Sequence, residues 1–96
     1  MRPLFHGDLS SAARALLPLK PGLRRFACAR MIAEAQAAHR HMDATGRLHP
    51  RWGNGALMAS ARRRRLPPEP GFDDADYRAC WQVVLSQIEA ARAKDA

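Results

Sequence analysis

Only five of the 96 residues are β-branched: Ile32, Thr45, Val83, Val84 and Ile88. A branched Cβ packs well on a pleated sheet and is stiff in a helix, so sheets draw on such residues. Alanine and arginine, which lead the helix ranking, are abundant instead. The chain is therefore expected to be all-α, and its length suits a single domain, residues 1–96. A chain this short buries roughly 60–65% of the surface its unfolded form exposes. Its core is modest, and each large apolar side chain counts.

Apolar periodicity divides the chain into helices separated by proline and glycine. Asp8 reads as the N-cap of a first helix carrying Leu9, Ala12, Ala13, Leu16 and Leu17, which Pro18 and Pro21-Gly22 end. The second runs from about Pro21 or Leu23 to Ala44. Its stripe is Leu23, Ala27, Met31, Ala35, Ala38 and Met42, widened by Cys28 and Ile32. Phe26 lies at one flank, and Gly46 suits the left-handed residue after the helix. Residues 46–56 are turn-like, and Asn54 could cap a short third helix from Ala56 to about Arg65. Leu66–Gly71 contains three prolines and reads as a stiff extended linker. Asp73 is the expected cap of the fourth helix, with Tyr77, Cys80, Trp81, Val84, Ile88 and Ala91 on one stripe and Leu85 beside it. The expected architecture is a small bundle of three to four helices, with the second and fourth as its main pair.

The net charge is +7, and it is unevenly placed. Residues 1–65 carry 13 Lys/Arg against 3 Asp/Glu, and residues 66–96 carry 3 against 6. That polarity implies an acidic partner for the first part, or partial self-neutralisation on folding. No stretch approaches a membrane span, and the N-terminus lacks the apolar run of a signal peptide, so a cytoplasmic protein is expected. Cys28 and Cys80 are too few for a disulfide framework and fall within helical stripes, as buried thiols do.

Enzyme signatures are missing: there is no phosphate-binding glycine loop, dinucleotide fingerprint or nucleophile elbow. Gly53-Asn54-Gly55 lacks the strand that precedes such loops and reads as a turn. His39 and His41 point about 200° apart on a helix and cannot chelate together. His39 with Asp43 has workable i,i+4 spacing, but two ligands do not make a zinc site. No catalytic residue, cofactor or metal is expected.

The basic segment is the strongest functional candidate. Arg47, Arg51, Arg62, Arg63, Arg64 and Arg65 lie in a stretch without an acidic residue between Asp43 and Glu69, and Trp52 sits among them. Guanidinium forks match phosphate or carboxylate, and an exposed indole can stack on a base. Against this, arginine outnumbers lysine fourteen to two, which suggests compositional bias. Four consecutive arginines on a helix also point all round it, so some are expected to pair with the chain's own acidic fourth helix. Trp52 could equally be core.

The stretch His49-Pro50-Arg51-Trp52-Gly53-Asn54-Gly55-Ala56-Leu57-Met58 occurs here with His6-Gly7-Asp8, Met31-Ile32-Ala33-Glu34-Ala35 and Asp73-Asp74-Ala75-Asp76-Tyr77. In these segments the chain resembles a family of small uncharacterised alphaproteobacterial proteins over nearly its whole length. The resemblance implies a bacterial cytoplasmic protein and assigns no activity and no site residue. The expected function is that of a non-enzymatic helical adaptor or regulator acting by macromolecular binding, with a protein partner, for which an acidic surface would suit the basic segment. The alternative is nucleic-acid binding through the Arg47–Arg65 region.

Overall fold

The computed structural model describes residues 2–95 and contains four helices: α1 (His6–Leu16), α2 (Pro21–Thr45), α3 (Leu57–Ala61) and α4 (Ala75–Asp95). The fold is all-α, a small helical bundle. Among the described residues the one β-type pairing is an isolated bridge between His49 and Gly53. No described helix is long and apolar enough to cross a membrane.

The helix ends show where side chains redirect the chain. α1 begins at His6, and Phe5, not Asp8, holds the N-cap position. Asp8 sits one turn in and is buried. Its Oδ2 accepts the Phe5 amide at 2.9 Å, the acidic half of a capping box. Its Oδ1 accepts the Met58 amide, also at 2.9 Å, in the first turn of α3. One carboxylate thus satisfies free amides at two helix starts fifty residues apart. The Asn54 side chain acts locally, where its Oδ1 accepts the Ala56 amide and holds the turn ahead of α3, while its carbonyl accepts Arg2 Nη1 at 3.0 Å.

α2 carries proline in its first turn and ends on Gly46, whose φ of 71° is left-handed, as expected from the sequence. α3 is shorter than expected. After Ala61 the amides of Arg63 and Arg64 bond to Ser60 and Ala61, three residues back, so the chain tightens and leaves the helix. α4 starts at Ala75, and Asp74, not Asp73, accepts the Tyr77 amide at 2.9 Å.

α1 packs on the other three helices, and α3 lies on α1 and α2. The expected α2–α4 pair is present, yet α1 is as central to the bundle. Leu16, Met31, Leu57, Tyr77 and Val84 are the largest fully buried apolar side chains, with Ala12, Ala13, Ala35 and Ala38 letting backbones approach. Cys28 and Cys80 are buried free thiols, and burial pushes Cys28 up to about 12 and raises Cys80. Neither is a poised nucleophile.

Three apolar residues assigned to the core stripes or their flanks instead face solvent: Leu23, Phe26 and Leu85. At the start of α2 the inward position belongs to Arg24, which is 4% exposed. Its Nε donates to the Leu16 carbonyl at 3.0 Å and its Nη2 to the Leu17 carbonyl at 3.2 Å, closing the C-terminal end of α1. The same guanidinium grips Asp76 of α4 with two bonds, at 2.7 and 3.0 Å. Arg24 shares the buried face of α2 with Cys28, Met31, Ala35 and Ala38, which leaves Leu23 outward.

Trp81 is only half-buried. Its ring lies within 5.5 Å of His6 and 5.3 Å of Phe72, and it meets Tyr77 edge-on at 6.3 Å. The Tyr77 hydroxyl donates to Glu69 of the proline-rich segment, which ties that extended stretch to α4.

Candidate functional site

The residues singled out in the basic segment separate into two places. Arg47, Arg51 and Trp52 belong to the loop after α2. This loop turns back on itself through the His49–Gly53 bridge. His49 Nδ1 accepts the amides of Arg51 and Trp52 at 3.0 and 3.2 Å, which sets the ring as its Nε2–H tautomer. Trp52 stacks on that ring with centroids 4.6 Å apart and planes 10° from parallel, and His41 of α2 meets His49 edge-on at 5.1 Å. Trp52 is therefore neither core nor freely exposed. Arg47 and Arg51 are exposed on the same loop.

Gly55 fixes how the loop meets α2. Its φ is +89°, and a Cβ there would lie 2.8 Å from the Cα of His39. Only glycine allows this approach. It seats α3, and the arginines after it, against the middle of α2.

Arg62, Arg63, Arg64 and Arg65 follow α3, and the fold divides them. Arg64 pairs with Glu34 of α2 through two bonds, Nη1 to Oε1 at 2.8 Å and Nη2 to Oε2 at 3.0 Å, and Nη1 also donates to the Ser60 carbonyl. Ser60 Oγ donates to the same Glu34 carboxylate at 2.9 Å. Burial alone would raise the Glu34 carboxyl. The Arg64 and Ser60 hydrogen bonds, with the nearby charges of Arg64 and Arg30, hold it below the usual range. The partner of the run is thus α2, not the acidic fourth helix expected from the sequence. Within that helix, Asp76 is already taken by Arg24, whose hydrogen bonds hold its carboxyl below the ordinary value. Arg62, Arg63 and Arg65 remain exposed, with no ion pair among the described residues.

Arg63, Arg64 and Arg65 line an open groove of about 630 Å³ against α2. Its apolar side is Ala15, Pro18 and Leu19 from the end of α1 and the following turn, with Phe26 and Ala27 from α2. Phe26 is 73% exposed, a large apolar surface beside cations. Arg30 stands one turn further along α2, also exposed, with Nε 3.5 Å from Glu34. Glu34 is the acidic lining residue and is neutralised by Arg64. The groove therefore combines an apolar floor with a cationic rim. Arg47, Arg51, Trp52 and Arg62 do not line it.

Sequence reasoning missed Phe26, Arg30 and Glu34 as site residues. Their i, i+4, i+8 spacing puts them on one α2 face, and that pattern was available. The tertiary approach of Arg64, thirty residues away, was not.

Among the described residues no group of three His, Cys, Asp or Glu is placed to hold a metal ion. His39 and Asp43 form an i,i+4 contact at 3.5 Å, an ion pair when the imidazole is protonated. No curated protein and no solved structure matches the chain. The profile of a domain of unknown function, DUF7742, matches residues 2–88, and the chain belongs to that family.

Proposed function

We propose that the protein is a small non-enzymatic adaptor or regulator that binds an acidic partner protein through the groove between Phe26 and the arginines after α3. One observation carries this reading: exposed Arg63 and Arg65 stand beside an exposed phenylalanine, while the neighbouring Arg64 is fixed by Glu34. A basic surface that served solubility alone would have no use for an apolar floor. Cations at an interface rim steer an acidic partner and set the salt dependence of association. A bacterial, alphaproteobacterial source and a cytoplasmic location belong to the same proposal. Two buried free thiols suit a reducing compartment.

A second reading is nucleic-acid binding through the loop, and the stacked Trp52–His49 pair on the loop that carries Arg47 and Arg51 favours it. Aromatic platforms beside cations bind bases in this manner. Anisotropy titrations of a labelled DNA duplex, a labelled single strand and a labelled acidic peptide, each across salt concentrations, separate the readings. We expect the peptide to bind at physiological salt and to be weakened by the double substitution Arg63→Ala/Arg65→Ala. We expect DNA to associate only at low salt. Tight DNA binding would favour the second reading if it has a slope of about −0.9 in log–log form per phosphate neutralised and is lost on Trp52→Ala.

A further inference from the structure

We infer that the groove receives one short amphipathic helix of an acidic partner, about two turns long, with apolar side chains on the floor and carboxylates on the rim. The inference rests on the binding-face reading above and specifies its ligand.

The length follows from α2. Phe26, Arg30 and Glu34 mark the groove along one helix face, a span of about 12 Å at 1.5 Å per residue. Two turns of a docked helix cover that distance and present two or three apolar side chains at i, i+3 or i+4, and i+7. The groove is open to solvent.

The charge follows from the pairing. Glu34 is gripped by Arg64 with two bonds, so it offers little to Arg63 or Arg65 and only a 3.5 Å contact to Arg30. Those three cations call for carboxylates from outside. An extended peptide is disfavoured, since the groove has no strand edge to satisfy its backbone amides. A helix satisfies its own. A DNA duplex would engage the arginines and leave Phe26 and Leu19 without an apolar partner.

A display library of random peptides about twelve residues long, roughly three helical turns, tests this when selected on the intact protein and counter-selected on its Phe26→Asp variant. Phe26, Arg63 and Arg65 are exposed, so their variants should keep the wild-type circular dichroism spectrum. Phe26→Ala serves as a second variant. We expect enriched peptides with apolar residues at helical spacing and Asp or Glu on the flanks. Their affinity should fall about tenfold or more with Phe26→Asp, the scale of a hot-spot loss, and should fall with Arg63→Ala/Arg65→Ala and with rising salt. No enrichment, or enriched peptides without acidic residues, would overturn the inference. So would binding indifferent to both Phe26 variants. Oligoglutamate distinguishes the two levels. If it binds as tightly as the best peptide and ignores Phe26, the helix inference fails and the arginine face stands. If neither it nor any peptide binds, both fail.

Discussion

Single side chains that serve two places at once organise this molecule. Asp8 accepts amides at the starts of both α1 and α3. Removing it leaves a part-buried amide without its partner at each place, and a hydrogen bond to a charged group contributes about 1.5–3 kcal/mol. Asp8→Ala should therefore destabilise the fold by about 2–4 kcal/mol in urea denaturation, and Asp8→Asn by less, because one carbonyl acceptor survives. Arg24 similarly joins the end of α1 to the start of α4. Its replacement by alanine should be worse than the loss of a surface ion pair, since two helix-end carbonyls and Asp76 lose their partner together. Neither double role was legible in the sequence. Asp8 could be recognised as a helix-start residue, but its second partner lies fifty residues away. Arg24 sits in an apolar stripe by position and violates it by type. A buried arginine is allowed only because acceptors converge on it, and convergence is a tertiary fact.

At the scale of elements, the four helices and their breakers were readable because 3.6-residue periodicity, Pro18, Pro21 and Gly46 act locally. The errors are at the ends, where tertiary partners decide: α1 starts earlier, α3 stops earlier, and Asp74 replaces Asp73 as the cap. The exposure of Phe26 and Leu23 has the same origin, since it depends on which face of α2 meets α1 and α4. The contact between the 46–56 loop and α2 makes a direct prediction. Gly55→Ala would force a Cβ to 2.8 Å from His39 and strain a φ of +89°. We expect a loss of about 1–3 kcal/mol, and chemical-shift changes should concentrate at His39, His49 and Trp52. A neutral Gly55→Ala would mean that the loop does not press on α2. Trp81→Ala, at a half-buried edge, should cost about 2–3 kcal/mol, below the roughly 3–5 of a fully buried tryptophan.

Across the whole molecule, the charge polarity of the sequence is only partly neutralised by folding. Two arginines of the basic part are held by two-bond ion pairs, Arg24 by Asp76 and Arg64 by Glu34. Both carboxyls lie below their ordinary values of 3.8 and 4.5. Their contribution to stability is complete above those values and is lost as pH falls through the lower folded ones. The denaturation midpoint should hold down to about pH 5 and drop below about pH 4, and Glu34→Gln should flatten part of that drop. At the alkaline end Cys28 and Tyr77, both pushed up to about 12 by burial, favour the folded state while protonated. That contribution should fade as pH rises from about 9 toward about 12. The division of arginines into structural and available ones is the central claim, and thermal denaturation of Arg64→Ala beside Arg65→Ala tests it most directly. Arg64→Ala leaves the buried Glu34 carboxylate with one Ser60 bond and the 3.5 Å contact to Arg30 and should cost about 1–2 kcal/mol, several degrees in midpoint for a domain of this size. Arg65→Ala should leave the midpoint within about 0.5 kcal/mol of wild type. Equal losses, or a larger loss from Arg65→Ala, would contradict the claim.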